Sequence, residues 1–335
     1  CANGLVAADR SLNPHIHEVK KVYEPLKFSF NKDNNTLTIE NKYNFIDVSH
    51  LTFTWEIMGK GKTILSGIFE PDVVDPGSKE EIILRFSEMN SMENAEYFLN
   101  IKANLKDDQP LLKKGHLIAW GQFKLTDFSQ FVATQESKTD IGFFEIEESV
   151  EEVKITTQLK DFLIFDKIKG SIKSWNYNGE ELILSGPKSN FWRAPTDNDL
   201  GNGMPKRCAM WKDANTDWKL INIDVQKSDY AVKMMVDSKH DHSSSALRVE
   251  YTFENNGNLS VQQSLNIMQI DLPELPRFGM KLTLPANFDQ TTWFGRGPHE
   301  SYSDRKTAAA IGHYSGSVWE QTFPYIRPQE TGHKT

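Results

Sequence analysis

The sequence predicts an all-β chain built from two sandwiches, and three observations carry that reading. Apolar and polar residues alternate without a fault through Leu51-Thr-Phe-Thr-Trp-Glu-Ile57, and less cleanly through Tyr97-Phe-Leu-Asn-Ile-Lys-Ala103; this is the period of a strand with one face on a core. Short strand-like runs recur roughly every 8 to 12 residues with turn residues between them, the spacing of an immunoglobulin-like sandwich. No amphipathic helical pattern exceeds about three turns, although Ser301 to Gly312 is expected to form a short helix.

Taken in order, Leu26 to Phe30, Thr36 to Tyr43, Leu51 to Ile57, Ile64 to Phe69, Glu81 to Phe86 and Tyr97 to Ala103 read as strands. Turn chemistry separates them at Asn31-Lys-Asp-Asn-Asn35, Gly59-Lys-Gly61 and Pro76-Gly77, where Gly, Pro and Asn supply the backbone angles that strands avoid. These runs place a first sandwich at residues 22–125. Residues 126–152 are polar and acidic, ending in Glu147-Glu148 and Glu151-Glu152, and read as a linker with a first edge. Hairpins then resume over 153–335. Asn178-Gly179 and Asn256-Gly257 each offer a positive-φ pair for a tight turn, the second joining Val249–Phe253 to Leu259–Ile267.

Composition narrows the function. At 335 residues, with 38% hydrophobic and 11% aromatic content, the chain can bury a core in each of two domains. A net charge of -8 argues against nucleic acid, whose phosphates require a basic surface, and no run of eighteen apolar residues is present to span a membrane. Cys1 and Cys208 are the two cysteines, too few for a disulfide framework or a paired-cysteine metal site. The opening Cys1-Ala-Asn-Gly-Leu-Val6 reads as the interior of a longer polypeptide. His15-Ile-His17 and His240-Asp-His242 place imidazoles two apart, but no third ligand is indicated, so all four read as surface histidines.

Two segments concentrate polar, glycine and tryptophan residues where a strand needs alternation. In Phe191-Trp-Arg-Ala-Pro-Thr-Asp-Asn-Asp-Leu-Gly201, Asp197, Asn198 and Asp199 can hold a calcium ion, accept sugar hydroxyls, or cap a turn; the turn reading is the simplest. Arg193 is then their structural partner, and Trp192 either core or a stacking platform for a sugar. In Trp293-Phe-Gly-Arg-Gly-Pro-His-Glu-Ser-Tyr-Ser-Asp-Arg305, Glu300 and Asp304 would serve as general acid and base only if two carboxyls stood about 5 to 10 Å apart. A salt-bridged turn with Arg305 explains them as well. A carbohydrate-binding module, with Trp192 or Trp293 under a sugar ring and Asp197, Asn198 and Arg296 on its hydroxyls, stands as an alternative function.

Six segments in the same order carry a resemblance: Asn3–Arg10, Pro14–Tyr23, Gly115–Trp120, Phe191–Gly201, Trp293–Tyr302 and Pro328–Gly332. Together they resemble the C-terminal part of the large β-galactosidases of glycoside hydrolase family 2, over nearly the whole chain. The resemblance implies that residues 1–21 are the tail of a catalytic TIM barrel, 22–125 an immunoglobulin-like sandwich, and 153–335 a galactose-mutarotase-like supersandwich truncated at its C-terminus. It implies retaining hydrolysis of terminal β-D-galactosides such as lactose, with both catalytic glutamates in barrel sequence outside this chain, which is then inert alone.

By the same resemblance, Asn3 matches a sodium ligand in an incomplete site, and Gly201, Asn202, Gly203 and Met204 begin a mobile loop over the substrate cleft. Past Leu200 the residues depart from the family pattern. No cofactor is expected in this chain; magnesium and sodium belong to the parent enzyme. The implied partners are the galactoside, the barrel of the same protein and further copies in a homo-oligomer, with no nucleic acid and no membrane. Cytoplasmic and periplasmic locations in a bacterium both stay open. A third reading, aldose epimerisation, rests on the supersandwich fold alone.

Overall fold

The computed structural model describes residues 4–86, 95–126, 145–214, 217–240, 243–269 and 271–335. They fall into two compact units: one takes the described residues up to 126 together with Gln290–Ile326 and Thr331–Thr335, the other those of 145–289 together with Arg327–Glu330.

The first unit opens with helix α1 (Ile16–Val22), then β1 (Leu26–Asn31), β2 (Thr36–Asn41), β3 (Leu51–Gly59), β4 (Lys62–Phe69), β5 (Lys79–Ile83), β6 (Tyr97–Leu105) and β7 (Leu117–Lys124). Two antiparallel sheets result, ordered β1-β2-β5 and β4-β3-β6-β7. The alternation read in the sequence becomes the core: Leu51, Phe53 and Ile57 of β3 face Leu99, Ile101 and Ala103 of β6, and Leu26, Leu37 and Ile39 close on them from the other sheet. The pattern breaks where the β3–β4 register shifts between Ile57 and Met58, and Met58 is buried beside Ile57. Lys60 and Gly61, at φ 48° and 72°, give the hairpin the left-handed pair that matches strand twist.

In the second unit β8 (Glu145–Glu148), β9 (Glu152–Thr156), β10 (Phe162–Asp166), β11 (Ser171–Tyr177) and β12 (Glu180–Glu181) form a five-stranded sheet with β8 at one edge. Of the acidic segment, 127–144 lies outside the described residues. After β13 (Ser185–Asn190) come three short helices, α2 (Asp197–Gly201), α3 (Met204–Arg207) and α4 (Ala209–Asp213). Strands β14 (Trp218–Lys227), β15 (Ala231–His240), β16 (Ser245–Glu254) and β17 (Leu259–Asn266) make a four-stranded sheet, and β18 (Gly279–Thr283) pairs with β13. Val153, Ile155, Leu163 and Phe165 of one sheet meet Val232, Met234, Val249 and Phe253 of the other. Strands β19 (Gln290–Gly297) and β20 (Ala310–Ser317) form a hairpin that belongs to the first unit.

The structure corrects three expectations. Asn178 and Gly179 both take positive φ, but at the second hairpin Gly257 alone does, at 87°; Gly257 donates to the Glu254 carbonyl and Glu254 to that of Asn258, a longer loop with a single left-handed residue. Ser301 to Gly312 contains turns and a bridge between Tyr302 and Arg305, not a helix, and from Ala310 it enters β20. His240 is no surface histidine: it ends β15 fully buried, its Nδ1 2.9 Å from Ser243 Oγ and its ring 5.3 Å from that of Trp218. His242 lies outside the described residues.

Candidate functional site

The Phe191–Gly201 segment is organised around one buried aromatic and one buried acid. Phe191 is fully buried, with its ring between 5.6 and 6.2 Å from those of Trp218, Trp211 and Phe278, and Trp192 packs half-buried against the same core. Five residues after Phe191, Thr196-Asp-Asn-Asp199 starts α2 with a capping box: Thr196 Oγ1 accepts the Asp199 N–H at 3.2 Å, and Asp199 Oδ2 accepts the Thr196 N–H at 3.0 Å. This exchange satisfies donors that a helix start leaves bare.

Asp199 Oδ1 also receives the Arg193 guanidinium at 2.8 Å. Burial works against the charge on Asp199, but the Thr196 N–H and Arg193 outweigh it and hold the carboxyl below its ordinary range. Asp197 and Asn198 stay exposed on the first turn, and the Asp197 N–H donates to Gln329 Oε1 at 3.0 Å.

Beyond the cap, Gly203 adopts φ 76°, a left-handed turn that L residues resist, and lets α3 begin. Met204 and Cys208 then enter the core. Asn202 Oδ1 accepts the Met204 N–H at 3.0 Å, while Arg207 NH1 donates to the Asn202 carbonyl at 2.8 Å and Arg207 Nε to Glu274 at 2.9 Å. Asn3 lies outside the described residues.

In the first unit, Glu300 sits at the centre of the second segment. Its side chain is 5% exposed. Oε1 accepts from Arg305 NH2 at 2.6 Å and from the Tyr325 hydroxyl, while Oε2 accepts the Gly332 N–H at 3.1 Å and the Thr331 hydroxyl at 3.4 Å. Burial first, then the neighbouring Glu300 carboxylate, pushes the Tyr325 phenol up to about 12. Tyr302 stacks on His333 at 4.9 Å, and Asp304 is exposed, so the carboxyl four residues from Glu300 is turned to solvent.

His299 stacks on His17 of α1 at 4.4 Å and 14°. Burial, reinforced by the positive charge of His17, Lys334 and Arg305, drives His299 down to about 4. Trp293 donates from Nε1 to the Arg296 carbonyl at 3.0 Å, and Lys334 Nζ lies 5.0 Å from its ring centre. Arg296 NH1 donates to the carbonyls of Lys306 at 3.2 Å and Ala309 at 2.8 Å.

The structure therefore joins Arg193 to Asp199 and Arg305 to Glu300, and gives both oxygens of each carboxylate a local donor. Sequence reasoning missed Tyr325 and Lys334, and read His17 as a surface histidine without its stack on His299. No spacing links residues 17, 299 and 325, and pairing of the two histidines has no local signature.

Comparison with known proteins agrees with this architecture. The family model described as Beta galactosidase small chain matches residues 159–335, and that described as Beta-galactosidase, domain 4 matches 37–126. A β-galactosidase of Priestia megaterium is 34% identical over 336 residues, covering 100% of this chain and 32% of that protein. One of Psychromonas ingrahamii is 33% identical over 358 residues, covering 99% and 33%. The chain thus spans about a third of the length of the curated relatives it matches. Likeness to a solved exo-chitosanase of Amycolatopsis orientalis, at 12% identity over 79% of this chain and 26% of that one, reaches a TM-score of 0.25, too low to carry an argument. With two successive β-galactosidase models matched and relatives aligned over its whole length, the chain belongs to the β-galactosidase family.

Proposed function

We propose that this chain is a C-terminal, non-catalytic part of a retaining β-galactosidase, whose substrates are terminal β-D-galactosides such as lactose. It supplies scaffold, subunit contacts within a homo-oligomer and the Gly201–Met204 segment at the substrate cleft. The bond-breaking glutamates, with the magnesium and sodium of the parent enzyme, belong to the catalytic barrel.

The observation that carries this reading is the engagement of the buried carboxylates. Glu24 pairs with Lys21, Asp161 accepts the Asn178 N–H, Asp199 is held by Arg193 and Thr196, and Glu300 by Arg305, Tyr325 and Gly332. A retaining glycosidase needs two carboxyls about 5 Å apart, one free to protonate the leaving oxygen and one free to attack. A buried carboxylate already engaged by fixed local donors is poorly placed for either task. The test is hydrolysis of a chromogenic β-galactoside by the purified chain. No turnover above background is expected, and turnover that disappears in Glu300→Gln or Asp199→Asn would overturn the proposal.

A further inference from the structure

Between strands β1 and β7, at the open side of the first sandwich, and the hairpin strand β20 lies a cavity of about 700 Å³, within the size range of small-molecule sites. Its charge is opposite to that of the chain. Lys21, Lys27, Lys42, Lys124, Arg296 and Lys306 line it against a single carboxylate, Glu24, a formal excess of five positive charges on a protein of net charge -8.

Some of these cations are already committed. Lys21 pairs with Glu24 at 2.5 Å and lies 4.2 Å from the Trp120 ring centre; Lys124 pairs with Glu96 at 2.6 Å; Lys42 donates to the Glu24 carbonyl at 3.1 Å. The Lys27 and Lys306 ammonium groups have no partner among the described residues, and both are exposed. Phe28, Phe123 and Ile311 supply apolar lining between these charges.

Crowding like charges around an apolar concavity raises the local potential and concentrates counter-ions. An anion with an apolar body satisfies both halves of the surface at once. We propose that this cavity binds a small organic anion, its apolar body on Phe28 and Phe123 and its carboxylate or phosphate between Lys27 and Lys306. Galactosides are neutral, so such a ligand is distinct from the substrate class of the family.

Calorimetric titration of the purified chain with phenyl phosphate, phenylacetate and benzyl alcohol tests this. At low ionic strength at least one of the two anions binds, whichever does identifying phosphate or carboxylate as the preferred group; the neutral alcohol does not, and added salt weakens the anion. The double charge reversal Lys27→Glu/Lys306→Glu removes no side-chain hydrogen bond or ion pair within the described residues and is expected to weaken anion binding at least tenfold, about 1.4 kcal/mol, with a folded-state melting transition retained. The proposal is overturned if neither anion binds, if benzyl alcohol binds as well as the anions, or if the wild-type chain shows no salt dependence. Should the double variant misfold, that salt dependence and the neutral control still decide.

Discussion

Replacing Glu300 by alanine should be among the most damaging single changes in the first unit, and its cost can be worked from the contacts. At 2.6 Å from Arg305 NH2, and with an effective dielectric of about 20, the pair attraction is about 6 kcal/mol before the desolvation of either ion is subtracted. With the carboxylate gone, a guanidinium left 20% exposed has no counter-charge, a situation that costs about 3–5 kcal/mol. The Tyr325 hydroxyl and Gly332 amide also lose their acceptor, at about 1–3 kcal/mol each if no water replaces it.

Because the deleted side chain opens room for water, these contributions do not sum, and a net loss of about 4–5 kcal/mol is expected. Urea unfolding followed by tryptophan fluorescence measures it, with amide exchange at Gly332 and Ser301 confirming that this unit opens. Arg305→Met introduced alongside Glu300→Met should recover most of the loss, since no orphaned charge then remains. A loss below about 1 kcal/mol for Glu300→Ala, or strict additivity of the two positions in the double-variant cycle, would refute the reasoning.

A β-carbon at Gly61 would stand 1.5 Å from His313 Cδ2 with φ at 72°, whereas at Gly77, φ 73°, it would meet nothing within 4 Å. Gly61→Ala should therefore cost about 2–4 kcal/mol, and Gly77→Ala only the left-handed strain of about 1–2 kcal/mol; equal urea midpoints for the two variants would show that the His313 contact is unimportant. His299 carries its proton less readily folded, at about 4, than at its ordinary 6.5. On acidification the unfolded chain takes up that proton first, so the stabilisation is complete above about 6.5 and is lost as pH falls toward 4. Melting temperatures recorded across that interval should fall less steeply for His299→Asn than for the wild type, and parallel slopes would contradict this.

What the sequence disclosed was local. The alternation of Leu51 to Ile57 and the Asn178-Gly179 pair state their own geometry, because strand faces and left-handed turns are decided by neighbours in the chain. Asp197, Asn198 and Asp199 read most simply as turn caps, and the structure makes Asp199 one half of a capping box with Thr196. Other features depend on partners far away. Tyr302 stacks on His333 and Arg305 is drawn to Glu300, which holds Ser301–Gly312 in turns despite a composition that allowed a helix. His240 looked solvated among serines and charged residues, yet Trp218 covers it and Ser243 bonds to it. The Glu300 cluster shows the same limit, since Tyr325 and Gly332 reach it from 25 and 32 residues downstream.

Strand β20 is fastened to β7 chiefly through one amide. Gln122 Nε2 donates to the Ile311 carbonyl at 2.8 Å, and its Oε1 accepts the Ile311 N–H at 2.7 Å, so a side chain stands in for a rung of a sheet ladder. The amide grips backbone and ignores what position 311 carries, leaving that strand's side chains free to change without loosening this link. Position 122 has no such latitude. A glutamate there offers no proton to the carbonyl, a leucine offers neither half of the exchange, and a carboxamide carries donor and acceptor on one terminal carbon, side by side as this exchange requires.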